Sequence, residues 1–162
     1  MVIDKRKIFF EELIKLAEKD DGVVLIVPDV GFSFTEEFQQ KFPNRYYNFG
    51  VTEQSCVIIA AALALDGWKP YVYSMINFVL FRPAEMVRNA VVKHKANVKL
   101  LGVKGSEKYK FLGFSHNLSH DEEDTNLCDN FGLNWYKPES KRETQVAIWE
   151  SYSSKEPCYI RL

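Results

Sequence analysis

A chain of 162 residues with 46% apolar side chains is long enough for one domain with a real core. Its 21 basic and 22 acidic residues leave a net charge of −1, which excludes the broad basic surface of a general nucleic-acid binder. Cys56, Cys128 and Cys158 are widely spaced and form no Cys-x-x-Cys pair, so neither a zinc site nor a disulfide framework is indicated.

Residues 5 to 19 place Ile8, Phe9, Leu13, Leu16 and Ala17 at helical spacing among charges, an amphipathic helix without a signal-peptide core. "GVVLIVPDVG" is an unbroken apolar run closed by Pro and Gly, as in a buried parallel strand. "TEEFQQKF" predicts a short helix capped by Thr35, and "RYYNF" a second strand. Residues 52 to 65 predict a helix with Thr52 as its cap, apolar from Cys56 to Leu65 on almost every side. "WKPYVYS" is a third strand, and residues 82 to 94 read as a helix with Pro83 in its first turn. "NVKLLGV" is a fourth strand, followed from 105 to 121 by a loop without a period. "DEEDTNLCDNF" reads as a helix with an acidic start, "LNWYKP" as a fifth strand, residues 140 to 154 as a last helix and "CYIRL" as a sixth strand. Alternation of this kind implies an α/β layer fold around a mostly parallel sheet. The longest apolar run, about 10 residues, is too short to span a bilayer, so a cytoplasmic protein is expected.

In such sheets ligands sit beyond the carboxyl ends of the strands. "FGVTEQ", "SMINFVLFR" and "KGSEKYKFLGFSHNLSHDEED" should gather there, bringing Glu53, Phe78, Arg82, His116 and His120 to one rim. Glu53 has two readings of equal weight on pattern alone. It is a first-turn acid favoured by the helix dipole, or a buried carboxylate in need of a partner. Phe78 at a strand end is ordinary core by default, Arg82 and Arg88 solvated helix charges, and His116 and His120 solvated loop histidines. The histidines and the acids from 121 to 124 match no metal-ligand spacing. The glycines form no phosphate loop.

The run "YYNFGVTEQSCVIIAAALALDGWKPYVYS" followed by "FRPAEMVRN" resembles the pyrimidine-binding domain of transketolase-type thiamine diphosphate enzymes. The likeness rests on a Gly-x-x-Glu-Gln turn at Gly50 to Gln54, the Ala-rich helix after it, the Gly-x-x-Pro strand at "GWKP" and the Arg-bearing helix from Arg82 to Asn89. The closing "EPCYIRL" extends it over nearly the whole chain. The resemblance implies a three-layer sandwich with a sheet of about six mostly parallel strands, in one domain over residues 1 to 162. It implies thiamine diphosphate as cofactor, with Glu53 on N1′ of the aminopyrimidine. Proton sharing there promotes the imino form that deprotonates C2 of the thiazolium, so the cofactor carries the chemistry and the protein sets tautomer and orientation. It further implies Phe78 stacked on the pyrimidine with Phe81 as the alternative, Arg82 beside them, and a substrate-facing histidine at His120 or, alternatively, His116.

The family's diphosphate-binding domain carries a Gly-Asp-Gly…Asn motif that holds magnesium, and this sequence has none. Mg2+ ligands are therefore expected on a partner chain, in a split enzyme of two copies of each subunit whose interface uses the apolar helix from Cys56 to Leu65. Two-carbon ketol transfer on a sugar phosphate or related ketose is the expected reaction, with Lys104, Lys108 and Lys110 as possible phosphate cations. A 2-oxo acid decarboxylase, an acyloin-forming synthase and a non-catalytic remnant are the alternatives.

Overall fold

The computed structural model describes residues 4–105 and 107–162, the side chains of residues 107 and 108 excepted. Helix α1 (Lys5–Lys19) starts where the Asp4 side chain accepts the Arg6 amide, and its buried stripe leads directly into β1 (Val23–Val27). There follow α2 (Glu36–Lys41), β2 (Tyr46–Asn48), α3 (Glu53–Leu65), β3 (Lys69–Met75), the short α4 (Ala84–Met86), β4 (Lys99–Val103), α5 (Glu123–Phe131), β5 (Asn134–Tyr136), α6 (Lys141–Ser153) and β6 (Cys158–Arg161).

The six strands form one sheet in the order β2-β1-β3-β4-β6-β5, parallel throughout. Full burial of β1 and β6 accounts for their unbroken apolar runs, since parallel strands are covered on both faces. The pleat sorts alternate side chains. Val23, Leu25, Val27 and Ile160 pack with α1 and α6, whereas Ile26, Val72, Leu100 and Tyr159 pack with α3 and α5. The result is the expected three-layer sandwich. Gly102 in β4 permits a close crossing: a side chain there would run into the Tyr159 ring.

Several local expectations are corrected. The helix read over 82 to 94 begins earlier and is broken: Asn77–Phe81 and Val87–Val92 wind as π-helix on either side of α4. The stretch read as a loop contains a 3₁₀ segment, Glu107–Ser115, kinked at Gly113 with φ 66°. Thr52 does not cap α3; its hydroxyl donates to the Phe49 carbonyl instead. Thr35 makes no cap bond either.

The acids read as the acidic start of a helix also have long-range partners. Asp124 is fully buried and accepts the Tyr159 hydroxyl at 2.6 Å and Arg161 Nη1 at 3.3 Å. Asp121 gathers Arg161, Lys104 and Lys137, and these three cations hold its carboxyl well below the usual carboxylate range. Burial beside Asp124 pushes the Tyr159 phenol far up, so it stays a donor.

Candidate functional site

Chain geometry after β2 delivers Glu53. Gly50 takes a positive φ of 70°, its amide donates to Asn48 Oδ1 at 3.0 Å, and the Thr52 amide returns to the Gly50 carbonyl at 2.8 Å. That tight turn points the first residue of α3 inward. Glu53 is only 5% exposed, because the helix behind it buries Cys56, Val57 and Ala60 against the sheet. An ionised carboxylate in such a place needs a partner, and Arg82 Nη1 donates to Oε1 at 2.5 Å. Among the described residues Oε2 accepts no hydrogen bond.

Arg82 and Phe78 come from the π-helical stretch after β3. The widened turn sets Phe78 under the guanidinium, whose central carbon lies 4.2 Å from the ring centroid. The His116 ring meets Phe78 edge-on, with centroids 4.9 Å apart. A hydrogen bond of 2.8 Å between Ser115 Oγ and His116 Nδ1 holds the ring, and Gly105 leaves room where a Cβ would overlap the His116 carbonyl.

Next to Phe78 and His116 a cavity of about 300 Å³ opens at the carboxyl ends of β1, β3 and β4. Ser74 at the end of β3 borders it, and its hydroxyl is buried without a hydrogen-bond partner among the described residues. Tyr73 lies beside it, its phenol pushed up by burial and so kept protonated. Burial likewise raises the Cys56 thiol, which packs as a neutral apolar group.

Glu53, Phe78, Arg82 and His116 thus share one rim. Phe81 does not join them; it packs on the core beneath α3. His120 stands apart and exposed, with Nδ1 3.9 Å from Glu122 Oε2. Arg88 turns to Asn89. Lys104 is committed to Asp121, and the Lys108 side chain lies outside the described residues. Sequence reasoning missed Ser74, Arg6 and Tyr109 as cavity wall. A small polar residue closing an apolar strand was the available signal for Ser74. Nothing local marked the other two. Among the described residues no group of three or more His, Cys, Asp or Glu side chains is placed to hold a metal ion. No helix among them is long and apolar enough to cross a membrane.

The profile of the transketolase pyrimidine-binding domain matches residues 2–162. The chain belongs to that family. It is 32% identical over 159 residues to one subunit of the apulose-4-phosphate transketolase of Phocaeicola vulgatus, covering 97% of this chain and 50% of that protein. A putative transketolase C-terminal section of Methanocaldococcus jannaschii is 30% identical over 158 residues, covering 97% of this chain and 49% of that protein. Among solved structures, a split-gene transketolase described as an inactive beta4 tetramer superposes with a TM-score of 0.86 at 26% identity, over 100% of this chain and 52% of the other. The chain spans about half the length of the curated relatives it matches.

The rim of this pyrimidine-binding domain suits an aminopyrimidine. It offers a nearly sealed carboxylate with one open oxygen and, beside it, an aromatic face. A flat ring with a basic nitrogen meets both needs.

Proposed function

We propose that this domain is the pyrimidine-binding part of a thiamine-diphosphate-dependent transketolase that is completed by a separate diphosphate-binding chain. Bound thiamine diphosphate supplies the carbon nucleophile that makes and breaks the bond next to a ketose carbonyl. Glu53 holds a proton at N1′ of the aminopyrimidine and so fixes the tautomer. Phe78 supports the ring by stacking, worth about 0.5–1.5 kcal/mol beyond burial. Arg82 orients the Glu53 carboxylate through Oε1 and leaves Oε2 for the ring nitrogen. His116, in contact with Phe78, faces the substrate in place of the exposed His120. The burial of Glu53 with one unmet oxygen is the observation that carries the proposal.

The partner chain supplies the Mg2+ ligands and the diphosphate site, in an assembly of two copies of each chain. The outer side of α3 favours such docking. Val51, Ile58 and Leu65 are exposed there, an apolar face without charge. Names among the relatives point the same way, since the apulose-4-phosphate transketolase relative is itself described as a subunit. Ketol transfer is the reaction favoured over decarboxylation, in line with those names.

Calorimetry with thiamine diphosphate and Mg2+ tests this on the chain alone and on the chain assembled with its diphosphate-binding partner. Binding is expected only in the assembly. Tight binding to the lone chain would put the diphosphate site here instead. No heat in either state would make the chain a non-catalytic relative and Glu53 a structural acid.

A further inference from the structure

We propose that Ser115 is a positioning residue that keeps the hydrogen of neutral His116 on Nδ1 and so leaves Nε2 as an acceptor for a hydroxyl of the substrate; this rests on the reading of His116 as the substrate-facing histidine. One proton decides the matter. Ser115 Oγ lies 2.9 Å from the Leu112 carbonyl oxygen and 2.8 Å from His116 Nδ1. A carbonyl only accepts and a hydroxyl has a single hydrogen, so the Ser115 hydroxyl donates to Leu112. Its oxygen then accepts from His116, whose Nδ1 must carry the hydrogen. The opposite assignment would press two acceptors together at 2.9 Å with no hydrogen between them. When the ring takes up a second proton, the Nδ1 hydrogen stays where it is. The proton that comes and goes is the one on Nε2.

The surroundings hold that choice in place. Leu112 belongs to the 3₁₀ segment, and the segment is tied down on both sides of it. Asn117 Nδ2 donates to the Tyr109 and Gly113 carbonyls at 2.9 and 2.8 Å, and Asn77 Nδ2 donates to the Phe114 carbonyl at 3.1 Å. The imidazole is flanked by Phe78, edge-on at 4.9 Å, and by Tyr109, nearly parallel at 6.4 Å. Turning the ring over would set Cδ2 against Ser115 Oγ and lose the bond. His116 lines the cavity, and among the described residues its Nε2 has no hydrogen-bond partner. Nε2 is thus the nitrogen left for a ligand. His120 has no such device, since its Nδ1 is 3.9 Å from Glu122, too far for a hydrogen bond.

Nitrogen NMR of the imidazole rings, on the isotope-labelled chain at about pH 8.5 where free imidazole is neutral, reads which nitrogen carries the hydrogen. His94 is an internal standard: its Nδ1 lies 2.8 Å from the Asn89 carbonyl and must carry the hydrogen to bond it. Exposed His120 is the reference without such help, where the hydrogen favours Nε2. His116 should match His94 in the wild type and move towards His120 in Ser115→Ala. Ser115→Thr keeps a hydroxyl and should restore the wild-type pattern. The second readout is turnover by the enzyme assembled with Mg2+ and thiamine diphosphate, with hydroxypyruvate as donor and glyceraldehyde 3-phosphate as acceptor. Ser115→Ala should lower kcat/KM by about three- to tenfold, the effect of one hydrogen bond, and Ser115→Thr should recover most of it. A wild-type His116 with its hydrogen on Nε2, or an unmoved pattern in Ser115→Ala, would overturn the proposal. So would full activity in Ser115→Ala alongside a loss of about a hundredfold in His116→Gln. Full activity in His116→Gln would overturn the substrate-facing reading of that histidine, and the proposal with it. No turnover by the wild-type assembly would overturn the proposed function itself.

Discussion

Glu53 and Asp124 are two carboxylates sunk to the same depth, 5% and 0% exposed, and each has an arginine. They are satisfied differently. Asp124 has both oxygens taken, by Tyr159 and by Arg161, and Arg161 is itself buried. Glu53 has one oxygen taken, by an arginine on the surface, and the other open. A saturated buried acid has nothing to offer a ligand and serves the fold. One with an oxygen free of protein partners can still accept a donor from a ligand. Depth therefore says little about role; the open oxygen says more.

Substitution should separate the two. In the assembled enzyme Glu53→Gln keeps the shape and removes the proton relay, so kcat/KM should fall by about 10²- to 10⁴-fold while the melting temperature hardly moves. Retained activity would reduce Glu53 to a second Asp124. Asp124→Ala should do the reverse. It leaves the buried Tyr159 hydroxyl without its acceptor while Arg161 keeps Asp121, and urea unfolding of the chain should show a loss of about 1–3 kcal/mol. If the loss is under about 1 kcal/mol, the network is not structural. Tyr159→Phe leaves one Asp124 oxygen unmet and should cost about 1–3 kcal/mol by the same measurement.

The smallest effect concerns pH and Asp121. Its folded-state value is depressed below 3.8 by Lys104, Lys137 and Arg161. A depressed carboxyl stabilises the fold above its unfolded value, and that contribution fades as pH falls below about 4. Asp121→Asn should therefore lower stability near neutrality, where the contribution is present in full, change little in strong acid, and so flatten the acid limb of a stability–pH curve. An unaltered acid limb would count against the ion cluster.

How far the sequence could be read follows the range of the interactions. The strands were legible because burial on both faces writes an apolar run into adjacent residues. Glu53 stood out because the helix after it has no polar side. Asp124 was not legible. It reads as a helix-start acid, and its partner Arg161 lies 37 residues on, brought to it by the pairing of β6 with β4 and β5. The choice between His116 and His120 was hidden for the same reason. The stretch from 105 to 121 has no period, and the contact that brings His116 to the rim depends on Phe78 from another segment. The π turns escaped because their spacing blurs the 3.6-residue pattern that marks a helix.

Those π turns make the rim a matter of residue count as well as residue identity. Asn77–Phe81 carries one residue more per turn than an α-helix would use, and Arg82 follows it directly. Loss of one codon between Phe78 and Arg82 would turn the guanidinium by about 100° relative to the ring. Glu53, Phe78 and Arg82 would all still be encoded, and no side chain would have mutated. The arrangement can thus be gained or lost through a length change that residue-by-residue comparison of the three positions would never register.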